Sequence, residues 1–479
     1  MELETEMGRR IMLMSIDTLR SDAIATNPYR DSISRFDSNT QTKTPTLDRL
    51  CAKGTFFPNC QAQAPYTTSS HGSMLTGYWP HNHGIREYFF TPLHENIDTL
   101  FNHFNRAGFV TILATDFPTL IGPILGFTED VDHFIDEDDG SLRELLVELS
   151  DQNVFCFWHF ADPHMPYGLS SIERDGCDFA ETTGHVMKLA GLEATKPASE
   201  DWLLESNRTD EERSLRLGYY DAAERLYATG QYDTLMDLYL RGVERFDQGR
   251  LAAAIETMRG IGWYDTALIA ITGDHGEEHS PRGYEHFDSI WNGVVNVPLI
   301  LIGPDIPAGC VDDHLVRSID IAPTLLNLAG VETDTDMDGV SLNTRLNTKM
   351  PLGLMSLCEA WFGDFLKARD HLNACHAAGR LLDRPSIAGR HLMSARDARW
   401  RYLVFRDLKA GTEEAYLFDL KADPNETTDV KDKFPHAASS LRQELEPTLA
   451  ARTQGGKRKG GAITKDIATG LVDMGYLRR

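Results

Sequence analysis

Cysteine is scarce in this chain and carries no pattern. The seven residues, at positions 51, 60, 156, 177, 310, 358 and 375, are odd in number and never form a CxxC pair. That argues against a disulfide framework or a structural zinc site. Basic residues are also short: 47 lysines and arginines against 72 acids leave a net charge of −25. Such a surface opposes binding to phosphate backbones, so no nucleic-acid partner is expected. No apolar run approaches the ~18–20 residues that span a bilayer. The richest, at 297–302, has the length of a strand, and no membrane partner is expected. The first ten residues place Glu2, Glu4 and Glu6 where an export signal has basic residues and an apolar centre. These absences make the cytoplasm the expected location. Solenoid repeats are missing too, and the one biased tract is the Gly/Lys-rich stretch 455–461.

What is present has the size and balance of a globular protein of two or three domains, with 479 residues of which 41% are apolar. Apolar runs at 11–16, 109–114, 154–160 and 267–272 each end near a carboxylate, namely Asp17, Asp116, Asp162 and Asp274. Continuous apolar runs of this length read as strands buried on both faces of a parallel sheet. Helical patterns lie between them at 46–52, 97–106 and 239–259, the last carrying Leu240, Val243, Phe246, Leu251, Ile255 and Met258. The fold class predicted is α/β, a doubly wound, mostly parallel sheet flanked by helices. Ligands of such sheets bind beyond the carboxyl ends of the strands, which is where the four acids are expected to converge.

Residues 1–348 read as a catalytic domain, with a helical insertion at about 168–234 where the pattern is charged and irregular. Residues 349–479 read as a smaller C-terminal α+β domain. Within it, 400–405 and 416–420 resemble a β pair and 435–449 an amphipathic helix, while Gly379, Pro385 and Gly389 argue for loops in 365–396.

Three short segments carry candidate chemistry. The hydroxyl cluster Thr67-Thr68-Ser69-Ser70 precedes a helical stretch, where hydroxyls either cap a helix or stand as a nucleophile beside an anion. Asp274-His275-Gly276-Glu277 offers adjacent carboxylate and imidazole ligands on a turn, and is equally the make-up of an Asp-capped turn. Asp162-Pro163-His164-Met165-Pro166-Tyr167 sets a histidine on a proline-braced loop.

Taken together, the chain resembles the sulfatase family of the alkaline phosphatase superfamily. Five landmarks occur in the family's order: SIDTLR at 15–20, TTSSHGSMLTG at 67–77, DPHMPY at 162–167, GDHGE at 273–277 followed by VPLI at 297–300, and DIAPTLL at 320–326. The segments YLFDL at 416–420 and DPNE at 423–426 resemble the family's C-terminal signature.

The resemblance implies an alkaline-phosphatase-like fold and a metal-dependent ester hydrolase. It also implies roles for particular residues. Thr67 falls at the position where sulfatases convert Cys or Ser to formylglycine, with Ser69 at the usual proline and His71 at the usual arginine, so no formylglycine is expected. An unmodified Thr67 alkoxide then serves as nucleophile, as in phosphatases and phosphodiesterases of the superfamily. Asp17, Asp274 and His275 are implied as ligands of one divalent metal, with Thr67 completing the shell. Thr18 and His275 replace a family Asp and Asn, so the mixed oxygen and nitrogen shell points to Mn, Zn or Mg, with Ca the family default. His164 matches the substrate-contacting histidine. His286 lies near the family's anion-binding lysine and, with His164, leaves room for a second metal. The family's K-x-H pair has no counterpart in 114–126, where Thr115 and Asp116 stand instead.

Fewer cations imply a substrate of lower charge, such as a diester or phosphonate monoester, or an extra metal, while the unmodified Thr67 nucleophile ranks phosphoesters or phosphonates above sulfate esters. The catalytic set expected is Thr67, His164, His286 and His71, acting on a small-molecule or glycan-type anionic ester. A phosphoryl or sulfuryl transferase and a non-catalytic anion- or metal-binding protein are the alternatives, and a homo-oligomer stays open.

Overall fold

In the computed structural model the described residues are 8–30, 42–87, 91–136, 138–168, 179–192, 210–286, 289–348, 350–361, 390–408 and 410–451. The stretch 365–389, the tract 455–461, and 169–178 and 193–209 of the insertion lie outside them.

The main sheet is built from β1 (Arg10–Ile16), β2 (Thr55–Gln61), β3 (Val110–Thr115), β4 (His133–Asp136), β5 (Val154–Phe160) and β6 (Leu268–Gly273). A hairpin of β7 (Glu278–Ser280) and β8 (Gly283–Glu285) stands apart from it. The remaining strands of the main sheet are β9 (Asn296–Ile302), β10 (Cys310–Val311) and β11 (Val316–Arg317). The order is β10-β2-β9-β6-β1-β5-β3-β4, with β11 pairing β2. All neighbours are parallel except β9, which runs against both β2 and β6. The predicted mostly parallel sheet is therefore present.

Its central strand shows why the apolar run is continuous. Ile11 and Leu13 of β1 enter the core on one face, whereas Met12, Met14 and Ile16 enter the core on the other. Helices cover both faces, so neither set of side chains meets water. Beyond the strand's carboxyl end the packing of the two faces stops, and Asp17 stands there, itself buried.

Helices α1 (Pro45–Lys53), α2 (Thr67–Thr76) and α3 (Leu100–Arg106) are followed by α4 (Asp139–Glu148). Thr99 closes a capping box with Asn102 at the start of α3. The insertion contributes α5 (Phe179–Leu189) and α6 (Asp210–Ala228), ahead of α7 (Tyr232–Phe246) and α8 (Ala252–Gly260).

The single helix predicted over 239–259 is interrupted by a π turn at Asp247–Leu251. The apolar spacing already contains it: Phe246 and Leu251 are five apart where a helix repeats every three or four. The extra residue turns Asp247 onto the start of α1, where it accepts from Thr46 N at 2.9 Å and Leu47 N at 2.7 Å. The same turn sends Arg250 inward.

Arg250 corrects one expectation. Asp116 and Asp162 do not join a ligand site; both are bound by this buried guanidinium, together with Asp139 of α4. Sequence places carboxylates at strand ends but is silent on a cation supplied from about ninety residues away.

A second sheet, β12 (Ser356–Trp361), β13 (Arg390–Arg396), β14 (Trp400–Asp407) and β15 (Thr412–Asp419), is antiparallel throughout. It contains the expected β pair, with α9 (Pro435–Glu444) packed on it through Ala438 and Leu441. One ion pair and one hydrogen-bonded bridge tie it to the main body. Arg86 grips Glu359 with contacts of 2.6 and 2.8 Å. Arg401 meets Glu426 at 2.6 Å, and Glu426 accepts from Asn292 N. No helix of the described residues is long and apolar enough to cross a membrane.

Replacing Arg250 by Met keeps the stem volume but strands three carboxylates in a buried site. The expected loss of unfolding free energy is ~3–5 kcal/mol, read from the shift of the urea midpoint. A loss below ~1 kcal/mol would show that the cluster is not an ion-pair hub.

Candidate functional site

Three chain segments deliver the site to the carboxyl edge of the sheet. β1 ends in Asp17, whose amide donates to Phe160 O of β5 at 2.8 Å. The chain then turns through Thr18 at φ 56°, a left-handed conformation uncommon for a threonine and held here by two contacts. Thr18 N donates to Asp274 Oδ1 at 3.1 Å, and Tyr239 Oη donates to Thr18 O at 2.8 Å. From the adjacent strand β6 come Asp274 and His275. Gly276 follows because a Cβ there would lie 2.2 Å from Gly293 O, so only glycine admits this close approach. The third segment is the first turn of α2, entered from an extended Tyr66.

Thr67, Asp17, Asp274 and His275 are fully buried. Thr67 Oγ1 lies 3.4 Å from Asp17 Oδ2 and 3.4 Å from His275 Nε2. His275 Nε2 is 3.4 Å from Asp274 Oδ2 and 3.7 Å from Asp17 Oδ1. Ligand atoms of the two aspartates and the histidine all fall within 4.8 Å of one another. The strand ends thus bring Asp17 and Asp274 together as the sequence predicted.

The donor set fits a divalent cation. Asp17 Oδ1 and Asp274 Oδ2 are buried with no hydrogen-bond partner, a costly state for carboxylates unless a cation shares them. Burial raises the pKa of both, and for Asp274 the neighbouring Asp17 adds to the rise. The His275 tautomer matches as well, since Nδ1–H donates to Gly276 O at 3.0 Å and leaves the Nε2 lone pair towards the aspartates.

Two further imidazoles have the same arrangement. His164 Nδ1 donates to Met165 O at 2.6 Å, and His286 Nδ1 to Glu277 Oε1 at 3.1 Å. The His286 ring centroid lies 4.3 Å from that of His275 and 5.3 Å from that of His164. Burial lowers the His164 pKa to about 4 and holds His275 well below its usual range. Glu277, which orients His286, also accepts from Tyr167 Oη at 3.2 Å.

His71 differs from these. Its Nδ1 donates to Thr67 O at 2.7 Å and its Nε2 accepts from Ser15 Oγ at 2.8 Å, so both ring nitrogens are used inside the framework. Burial keeps it uncharged, with a pKa well below the ordinary value. It braces the backbone of the Thr67 turn against β1.

Sequence reasoning passed over His159. This histidine sits one residue before the end of the buried run VFCFWHF, where a ring facing the sheet's carboxyl edge was the available signal. Its Nε2 is 3.4 Å from Asp17 Oδ2. Two arginines near the site's loops are taken up by acids: Arg20 by Asp22 at 2.8 and 2.7 Å, and Arg250 by the cluster described above.

Comparisons with known proteins bear on the family and the fold. A family model described as Sulfatase matches residues 11–331, about two-thirds of the chain. Arylsulfatase K of Bos taurus is 27% identical over 197 residues, 41% of this chain and 33% of the bovine protein. The matched stretch thus spans about a third of that relative's length. Among solved structures, a 2-O GAG sulfatase superposes with a TM-score of 0.64 at 18% identity, over 93% of this chain and 92% of the other. A phosphonate monoester hydrolase from Silicibacter pomeroyi gives 0.61 at 18% identity, over 93% and 96%. At that identity the likeness is one of fold, and it is the alkaline-phosphatase-like fold expected.

His83 supports α2 from behind, where a Cβ on Gly72 would meet its ring at 2.6 Å. It accepts from Ile85 N at 3.1 Å and contacts Ser73 Oγ at 3.1 Å, and burial lowers its pKa to about 3. The folded form thus resists a proton that the unfolded chain binds below pH ~6.5. The stability this histidine contributes is complete above that pH and declines as pH falls towards 3. Relative to His83→Gln, the native protein is expected to lose ~1.4 kcal/mol per pH unit below pH 6, measured by urea unfolding across pH 7.5 to 4.5. Parallel stability curves would refute the assignment.

Proposed function

Because the chain belongs to the sulfatase family, whose members hydrolyse esters, we propose that it cleaves monoanionic phosphoric or phosphonic esters, in preference to sulfate esters, with Thr67 as nucleophile. The carrying observation is the position of Thr67 Oγ1, at the first turn of α2 and 3.4 Å from two atoms of the cation-ready cluster. Amides at the start of a helix favour an anion beside them, which suits a transferring group poised over this hydroxyl.

Asp17, Asp274, His275 and Thr67 would hold a divalent ion of Mn, Zn, Mg or Ca type, which when bound would lower the hydroxyl pKa and offset charge on the transferring group. The protein's own residues do the rest. Thr67 Oγ1 passes its proton to the Nε2 lone pair of His164 and bonds to phosphorus. The bond to the leaving oxygen breaks with its electron pair, and that oxygen takes a proton relayed by His164, whose Nε2 lone pair is turned inward by the bond from Nδ1 to Met165 O. Water then attacks the same phosphorus and gives its proton to His164, and Thr67 leaves with the proton restored. His71 positions the Thr67 backbone and stays neutral. His286, oriented by Glu277, is the partner with which His164 would hold a second metal.

The charge of the pocket favours this substrate class. Among the described residues, burial keeps His164 and His275 uncharged and Arg20 and Arg250 are already paired with acids, which favours a monoanionic over a dianionic ester; the ranking above sulfate esters rests on the unmodified Thr67 nucleophile. The likeness to a phosphonate monoester hydrolase and to a 2-O GAG sulfatase supports a small organic or sugar alcohol as the leaving group.

Thr67→Ala is expected to lower kcat/KM by ~10³-fold or more, with the melting temperature held within ~3 °C. Thr67→Ser is expected to retain turnover. Stripping divalent ions should abolish activity in the native protein, and Mn²⁺ should restore it. The panel is a phosphodiester, a phosphonate monoester and an aryl sulfate. Undiminished activity in Thr67→Ala would dispose of the nucleophile, and a clear preference for the sulfate would dispose of the substrate ranking.

A further inference from the structure

The partner of Nδ1 decides what each imidazole shows to the site. In His164, His275 and His286 that partner is a carbonyl or carboxylate oxygen, so Nδ1 carries the hydrogen and Nε2 presents a lone pair. His159 is wired the other way. Its Nδ1 lies 3.3 Å from Thr115 Oγ1, and that hydroxyl already accepts from Phe117 N at 2.9 Å. With one lone pair used in this way, the Thr115 hydroxyl is assigned as the donor to His159 Nδ1, an assignment that Thr115→Val tests. An Nδ1 that accepts leaves the hydrogen on Nε2, so this ring presents an N–H.

That N–H is buried and makes no hydrogen bond. Asp17 Oδ2 lies 3.4 Å away without the geometry of one. The ring cannot swing to find a partner, being walled by Phe117 at 5.4 Å and by the perpendicular ring of His71 at 5.3 Å. β-sheet register fixes the backbone, with His159 paired to Ser15 two residues before Asp17. The same Asp17 oxygen is 3.4 Å from Thr67 Oγ1. A rigid, unsatisfied donor therefore shares a neighbouring Asp17 oxygen with the hydroxyl proposed to attack.

We infer that His159 Nε2–H donates a hydrogen bond to a non-bridging oxygen of the tetrahedral oxyanion being transferred, and that Thr115 is the positioning residue that fixes this tautomer. The inference rests on the proposed attack by Thr67 and extends it to specificity. A neutral N–H stabilises the charge that develops on the oxygen without supplying a full positive charge to the ground state. It also cannot act as a metal ligand, because the lone pair on that side is absent. The four site imidazoles thus divide into three lone-pair rings and one donor.

The test uses the full-length Mn²⁺-loaded protein with orthovanadate as probe, and calorimetry for both vanadate and Mn²⁺. His159→Gln, whose amide nitrogen reaches the place of Nε2, is expected to bind vanadate within about fivefold of the native protein. His159→Asn, whose shorter amide falls at the Nδ1 position, and His159→Leu are expected to bind it about 10- to 100-fold more weakly. Thr115→Val is expected to weaken vanadate in the same direction. Mn²⁺ affinity is expected to stay within about twofold in all four. Equal vanadate affinity in native, Gln and Asn forms would overturn the proposal. So would a loss of Mn²⁺ affinity that accounts for the loss of vanadate, since His159 would then serve the metal. These readouts involve no turnover, whereas the role of Thr67 is judged by turnover, so either reading can fail without the other.

Discussion

Two carboxylates that bury oxygen atoms without hydrogen-bond partners are the constraint around which this molecule is arranged. Asp17 Oδ1 and Asp274 Oδ2 lie in the dry interior of the sheet's carboxyl edge, where each would be strongly destabilising alone. Adjacent parallel strands, β1 and β6, force them together, and the register from Ile11–Leu268 to Ile16–Gly273 leaves no slack in their spacing. Hydrophobic packing on both faces of the sheet supplies the energy that holds them there, and a cation is the one partner that satisfies both at once. The strained turn at Thr18 and the glycine at 276 are local consequences of bringing the two strand ends so close.

Around that pair the chemistry is divided by hydrogen bonds one step removed. Carbonyls of Met165 and Gly276 and the carboxylate of Glu277 each fix a proton on an outward nitrogen. Such partners orient ligands and set basicity as surely as the ligands themselves. The second sheet takes part in the same way. Arg401 and Glu426 join it to Asn292 and Ile290, a few residues past His286. The DPNE segment therefore acts as a brace on the loop that carries a site histidine, which explains how a tail so far along the chain bears on the carboxyl edge.

Much of this was legible in the sequence because burial on two faces leaves an unmistakable trace. The runs ending at Asp17 and Asp274 gave the strands and their shared edge, whereas the π turn was missed, because the five-residue gap from Phe246 to Leu251 passed for part of one continuous helix. The misreading of Asp116 and Asp162 has a plain cause. A carboxylate at a strand end looks the same whether it faces a ligand or a guanidinium, and Arg250 arrives from a distant helix by way of that π turn. His159 was hidden for the opposite reason, since one polar residue in an aromatic strand passes for a satisfied core histidine until its Nδ1 partner is seen.

The nucleophile and the charge of its pocket bear on each other. A formylglycine hydrate can expel the transferred group by collapsing to its aldehyde, whereas an ester of threonine must be released by attack at the central atom itself. That second displacement recreates the crowded, charge-spreading geometry of the first, so the groups that stabilise one must serve both. Neutral donors suit this demand better than lysines, because a full cation would also hold the product anion and slow its departure. On the proposed reading, in which Thr67 attacks as an unmodified alcohol, that nucleophile and His71, which braces the Thr67 turn where the family has an arginine, read as one adaptation.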